Sequence, residues 1–255
     1  MNDDSGAFAP TNNRGADCEE LRSSSPDPSA FQDSKIPEYL KDTYWWAYLH
    51  PNAVRFWERE WLVNAILWGN MQRLTSVVIN ELEMSAGSSV LQMACVYGQF
   101  SNNLTDHVAS QDSQYHVLDI APIQLANVRR KLSGCDNVSF HLQDSSKMHF
   151  PDASFEHAVM YFLLHEQPES VRRRSLAEAL RVVKPGGKVV IVDYHRPYWW
   201  NGLRIAMWPV LKSLEPFALD LWRNPIESWL PADGWESATD LYCGGLYQKT
   251  VLKRL

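Results

Sequence analysis

The chain has 255 residues, with 24 Lys and Arg against 30 Asp and Glu, a net charge of −6 and a hydrophobic share of 45%. That length suits one α/β domain with a full core. No basic stretch studded with aromatics appears, which counts against a nucleic-acid partner, whose phosphates call for clustered Lys and Arg. Four cysteines, Cys18, Cys95, Cys135 and Cys243, lie far apart with no C-x-x-C pair. Their spacing points away from a zinc knuckle or a disulfide framework and fits a reducing cytosol.

The charge is unevenly placed, because residues 1–42 hold nine acids against four bases, −5 of the −6 total. Residues 1–36 are rich in Ser, Pro, Asp, Asn and Gly and poor in aliphatics, so they read as a disordered acidic tail that cannot bury enough surface to offset ordering entropy. Residues 37–255 read as the folded domain. The opening MNDDSGAFAP lacks the cationic and apolar regions of a signal peptide. No run nears the roughly 20 apolar residues of a membrane span, so the expectation is a cytoplasmic protein, soluble or peripheral.

From Thr43 the composition turns aromatic, and a helix is expected after Pro51, a residue suited to a first helical turn. Val54, Trp57, Trp61, Ala65 and Trp68 follow steps of three and four, placing three tryptophans on one stripe. Strands and helices then alternate: strands over 89–94, 115–120, 138–142, 157–163 and 188–193, and helices over 99–109, 123–132 and 169–183. Continuous apolar strands joined by helices indicate a parallel sheet covered on both faces. Near the end, two strands joined through Gly244 and Gly245 suggest an antiparallel hairpin.

Ligands of an open α/β sheet sit at the carboxyl ends of the strands, where the strand order reverses. The loop after the first strand, Val90 to Phe100, should therefore carry chemistry. Asp119 ends the second strand, where a carboxylate can accept both hydrogens of a ribose diol. Asp144, after the third strand, can accept from an adenine amino group, and Ile120 and Ser145 adjoin these two positions. Taken alone, Asp119 could equally cap the next helix, and Asp152 and the Pro185-Gly186-Gly187 run are turn-formers rather than ligands.

Phe150-Pro151-Asp152 with Ser154-Phe155, followed by Leu180 to Gly187 (LRVVKPGG), resembles the corresponding segments of class I methyltransferases, especially those of ubiquinone and menaquinone biosynthesis. The resemblance runs from about Ser89 to Asp193. It implies a Rossmann-like fold with a mostly parallel seven-stranded sheet, a C-terminal antiparallel hairpin, and S-adenosyl-L-methionine as cofactor. The implied cofactor-binding positions are Gln92, Ala94, Val96, Tyr97, Gly98, Asp119, Ile120, Asp144 and Ser145. Members of that class usually carry an acid and three glycines in the first loop. Here Gln92 replaces the acid, Ala94 and Val96 replace two glycines, and Gly98 remains. Val96 should displace the loop or the methionine portion of the cofactor, and Gln92 removes a charge beside the cofactor's amino group. Both changes fall at the methionine end, while the nucleoside positions are kept.

The altered loop, the segment YWWAYLHPNAVRFWEREW and the segment VDYHRPYWW together resemble the RquA family of rhodoquinone biosynthesis proteins. That resemblance implies conversion of ubiquinone to rhodoquinone by exchange of a ring methoxy group for an amino group. It implies S-adenosyl-L-methionine as amino donor and a divalent metal, manganese, as helper. Such a quinone has to be drawn from a bilayer, and tryptophan-rich helices suit that boundary, so weak peripheral association with the membrane surface on the cytosolic side of a bacterial inner membrane is expected. Tyr97 and His165 are the favoured catalytic candidates, ahead of Tyr161, Glu166, Asp193, Tyr194 and His195, and His165 is the candidate metal ligand. The plainer reading of His165 is a surface histidine at a strand-to-helix junction. The tryptophans of 196–232, the expected acceptor cover, are either core packing or an interface toward the bilayer that holds the quinone. A conventional small-molecule methyltransferase and a non-catalytic cofactor-binding partner remain open alternatives.

Overall fold

Buried apolar runs set the architecture seen in the computed structural model, which describes residues 36–255. Seven strands form one sheet: β1 Ser89–Met93, β2 Gln114–Asp119, β3 Val138–Leu142, β4 Phe155–Tyr161, β5 Val183–Tyr194, β6 Trp235–Tyr242 and β7 Tyr247–Arg254. Their order is β3-β2-β1-β4-β5-β7-β6. β1 to β5 pair in parallel, and β7 lies antiparallel between β5 and β6. This is the Rossmann-like α/β fold with a closing hairpin that the pattern called for. In β1, Val90, Leu91, Gln92 and Met93 are fully buried, as a central strand covered on both faces must be.

The helices that cover the sheet owe their existence to one apolar face each. α4 (Met71–Ile79) buries Met71, Leu74, Thr75 and Val78, and α5 (Phe100–Ser110) buries Phe100, Ser101, Leu104, Thr105 and Val108. Both sets follow helical spacing, and each large side chain buried contributes about 1.5–3 kcal/mol. α6 (Pro122–Lys131) starts on a proline at its first turn. α7 (Glu169–Val182) precedes β5.

The N-terminal segment departs from the expected single helix. It comprises α1 (Glu38–Thr43), a π-type turn over Trp45–Leu49, α2 (Pro51–Trp57) and α3 (Glu60–Ile66). Arg59 takes an extended conformation, φ −69° and ψ 117°, which ends α2 and resets the helical phase. The tryptophan stripe therefore does not face the core: Val54 is buried, but Trp61 and Trp68 are 64% and 48% exposed. Within 196–232 lie α8 (Leu203–Leu214), α9 (Ala218–Arg223) and a 3₁₀ turn over Ile226–Trp229. There Trp229 is buried, whereas Trp199, Trp200 and Trp208 are exposed, so core packing explains only part of that group. No helix among the described residues is long and apolar enough to cross a membrane. The acidic tail expected over 1–36 lies, but for Ile36, outside the described residues.

Candidate active site

The strand order reverses between β1 and β4, and the carboxyl ends of the strands open there on two adjoining spaces. The first is a cleft lined by Ala94, Asp119, Ile120, Gln124, Asp144 and Ser145, among others. It encloses about 50 Å³, with Tyr39, Leu40, Tyr48 and Leu49 of the N-terminal segment in its walls. Ordinary ligand pockets hold roughly 300–1,000 Å³, so this segment must shift to admit a nucleoside.

Asp119 is the cleft's buried carboxylate. One oxygen accepts from the Cys95 N–H and the other from the Ala121 N–H, each at 2.7 Å. Burial raises its pKa to about 6, against the lowering effect of those backbone donors. A carboxylate at the end of β2 with lone pairs to spare fits the ribose of the expected cofactor. Asp144 turns one oxygen to the Ser146 N–H at 2.7 Å. Burial, with Asp119 adding to it, pushes the Cys95 thiol well up, so that sulfur is a wall and not a nucleophile.

The altered loop keeps its shape by substitution. Ala94 adopts φ 74°, a left-handed conformation normally left to glycine. Gln92 holds it there by donating to the Ala94 carbonyl at 2.8 Å, while its oxygen accepts from Ser101 at 3.1 Å and from the Tyr115 hydroxyl. Gln92 thus lines neither space and acts on the cleft only through Ala94. Gly98 also lines neither. Its φ is 78°, a Cβ there would sit 2.7 Å from Met71 Cε, and its carbonyl accepts from Lys131, which pairs with Glu58 at 2.6 Å. Val96 faces away from the cleft into the second space, so its bulk does not crowd a nucleoside.

That second space is a chamber of about 350 Å³ with mostly apolar walls. Trp46, Trp57, Val63, Leu67, Met207 and Leu211 supply much of that surface, and Tyr161, Phe162 and Tyr194 add flat rings. Tyr97 and His165 both line it. Tyr48, Cys95 and Glu166 belong to both spaces, forming the partition between them. The Tyr97 hydroxyl is fully engaged, donating to the Ala47 carbonyl at 2.6 Å and accepting from Gln124 at 2.7 Å. Its ring stacks on Tyr48 at 5.7 Å between centroids. Tyr97 therefore positions Tyr48, and burial holds its pKa above the usual range.

His165 is buried, not a surface histidine. Its Nδ1 lies 3.0 Å from Asp193 Oδ1, and the other Asp193 oxygen accepts from the Leu164 and His165 N–H groups. Asp193 is the next-to-last residue of β5 and is itself fully buried. Nε2 faces Glu166 at 3.8 Å and Glu215 at 4.0 Å, and Glu166 accepts from the Tyr48 hydroxyl. Burial alone lowers the His165 pKa, but Asp193, Glu215 and Glu166 reverse this and raise it to about 9. Burial raises Glu166 to about 8, with Glu215 reinforcing it and His165 opposing. Glu215 is raised for the same leading reason. The cluster therefore stores protons near neutral pH in an apolar enclosure. The 3₁₀ turn Leu164–Glu166 that presents it is fixed by Arg172, wholly buried, which donates to the carbonyls of Leu164, Gln167 and Phe217 at 3.0 Å each.

Manganese finds no ready ligand set. Among the described residues no group of three or more His, Cys, Asp or Glu is arranged to hold a metal ion. His165 spends Nδ1 on Asp193, and its Nε2 stands 3.8 and 4.0 Å from the nearest carboxylate oxygens.

Residues 90–187 match a family model described as a methyltransferase domain. The match runs from β1 into β5. It holds Ala94, Asp119, Ile120, Asp144 and Ser145 of the cleft and His165 of the chamber. The demethylmenaquinone methyltransferase of Clavibacter sepedonicus is 32% identical over 132 residues, 51% of this chain and 50% of that one. The chain thus spans about half that relative's length. A protein of the same name from Paenarthrobacter aurescens is 25% identical over 70% of this chain and 74% of its own. A solved structure of a Pyrococcus horikoshii protein superposes with a TM-score of 0.57 at 18% identity, over 86% of this chain and all of that one. The two share the Rossmann-like α/β fold.

Tyr48, Glu215 and Arg172 were not singled out by sequence reasoning. Glu215, a lone acid in the apolar run LKSLEPFALD, carried a readable signal. Tyr48 and Arg172 carried none, since an aromatic among aromatics and an arginine on a charged helix look ordinary.

Proposed function

We propose that the chain modifies a quinone ring held in the chamber, with S-adenosyl-L-methionine in the cleft, exchanging a ubiquinone methoxy group for an amino group. The observation that carries this reading is the proton-storing cluster of His165, Asp193, Glu166 and Glu215 inside an apolar enclosure that adjoins the cleft. Amino-for-methoxy exchange requires both a base and an acid at one place. When bound, the cofactor supplies the nitrogen nucleophile. Tyr161, Phe162 and Tyr194 offer ring faces to a planar substrate.

His165, charged at neutral pH, donates from Nε2 to a ring carbonyl as the nitrogen–carbon bond forms and electrons move to that oxygen. The ionised member of the Glu166 and Glu215 pair takes the proton released from nitrogen. The electrons then return, the carbon–methoxy bond breaks, and the departing oxygen takes a proton from the same cluster to leave as methanol. Release of the amino group would follow by elimination on the donor: a base takes a proton from the carbon next to the nitrogen-bearing one, a carbon–carbon double bond forms between them, and the carbon–nitrogen bond breaks with nitrogen keeping the electron pair and taking a proton.

Ring C-methylation is the second reading, favoured by the names of the relatives that match. In that case the cluster removes a ring hydroxyl proton. Incubation with S-adenosyl-L-methionine and either ubiquinone or a hydroquinone lacking one ring methyl, with and without added manganese, followed by product mass, separates the two. Amino-for-methoxy exchange is expected. Gain of a methyl group instead replaces the first reading by the second, and no product from either substrate removes both.

A further inference from the structure

The outer face of α8 and the loop before it have no part in the chamber. α8 turns Met207, Val210, Leu211 and Leu214 toward the chamber, yet on its other side Ile205 is 81% exposed and Trp208 49%. Just upstream, Tyr198 and Trp200 are exposed and Trp199 is 84% exposed. So dense an apolar patch marks an interaction surface rather than ordinary scatter.

Cations ring this patch. Arg196, Arg204 and Arg223 share an open crevice with Trp199, Ile205 and Trp208, and Lys212 Nζ lies 4.8 Å above the Trp208 ring. Arg223 faces Asp220 at 3.5 Å, while Arg196 and Arg204 have no carboxylate partner among the described residues. Beyond residue 42 the net charge is only −1, so these four cations on one aromatic face make it locally positive. The patch also continues to the chamber mouth, because Ile66, Trp68, Val210 and Leu214 line the chamber and are at the same time exposed. Trp68 reaches across to α8, its Nε1 donating to Met207 Sδ at 3.3 Å.

We propose that this face docks on a bilayer containing anionic phospholipid, with Trp199, Ile205 and Trp208 at the headgroup–acyl boundary and the arginines on lipid phosphates. The chamber then opens toward the membrane. Interfacial tryptophans flanked by Arg and Lys suit such a boundary, where one end of the side chain is apolar and the other wet. A second copy of the chain is a poorer occupant, since a two-fold contact sets the same cations against each other. The proposal goes beyond the reaction assigned above and holds equally for ring methylation.

The test uses the full chain with vesicles of phosphatidylcholine, alone or mixed with phosphatidylglycerol. Cosedimentation with the mixed vesicles, weakened by salt, and quenching of tryptophan emission by brominated acyl chains are expected. Arg196→Glu with Arg204→Glu should weaken binding by about tenfold or more. Trp199→Ser with Ile205→Ser should abolish quenching, while circular dichroism and cofactor affinity stay unchanged. Three results would overturn the proposal: no vesicle binding, binding indifferent to both double variants, or a stable dimer in which Trp199 is shielded from soluble quencher.

Discussion

The cleft and the chamber share a partition of Tyr48, Cys95 and Glu166, yet they are built by different rules. The cleft draws on the ends of β1, β2 and β3, places that sheet topology fixes once the strand order is set. The chamber draws on segments remote in sequence: the π-type turn, α3, the 3₁₀ turn after β4, and α8. On the function proposed above, the sheet supplies cofactor recognition and the segments laid over it place the chemistry, which is where one fold accommodates different reactions.

The largest expected effect tests whether chemistry resides in the chamber alone. His165→Ala should cut turnover by about 10²–10⁴-fold, the range for losing a positioned acid–base group, while calorimetric affinity for S-adenosyl-L-methionine stays within about twofold. Equal loss of both would erase the division between the two spaces. Asp119→Asn is the converse variant. It retains size but loses the charge that holds two backbone donors, hydrogen bonds of about 1.5–3 kcal/mol each, so affinity should fall by about tenfold or more. A variant with normal affinity and lost turnover would put Asp119 in the chemistry instead.

The two spaces also separate along the pH axis. Asp119 is raised from 3.8 to about 6, so the folded state holds its proton more tightly, and stability declines as pH rises through that interval. Glu166 is raised from 4.5 to about 8 and behaves likewise over a higher span. His165 is raised from 6.5 to about 9, so its stabilising contribution is complete below 6.5 and disappears as pH rises through 9. All three slopes have one sign. Denaturant midpoints should therefore fall between pH 6.5 and 9, with His165→Asn flattening that decline and Asp119→Asn altering only the acidic side. A decline above pH 6.5 that survives in His165→Asn and Glu166→Gln would remove the chamber cluster as its source.

How much of this was legible follows the same line. Alternating apolar strands and helices announced the sheet, its hairpin and the carboxylates at two strand ends, because period and burial are written locally. The N-terminal segment misled, since the steps from Val54 to Trp68 match a helix whose phase Arg59 breaks, and a backbone torsion at one arginine leaves no trace in residue type. Gln92 was expected beside the cofactor's amino group. Its place inside a network with Ser101 and Tyr115 depends on which face of β1 it occupies and on partners from α5 and β2. Glu215 meets His165 only because α8 folds back across the sheet end.

The smallest expected effect concerns the loop that joins the two spaces. Ala94 sits at φ 74°, a conformation that costs an L-residue about 1–2 kcal/mol. Ala94→Gly removes that cost but gives the unfolded chain more freedom, a loss of about 0.5–1 kcal/mol. The balance predicts stabilisation of about 0–1.5 kcal/mol, a rise of up to about 6 °C in Tm for a chain of this size. Because Gln92 donates to the Ala94 carbonyl and not to its side chain, the anchor survives the substitution. A higher Tm with unchanged cofactor affinity would mean that the loop's shape is held by the buried network behind it. A lower Tm would mean that the Ala94 methyl is itself a packing contact of the cleft, and the cleft would then owe part of its form to residue choice as the chamber does.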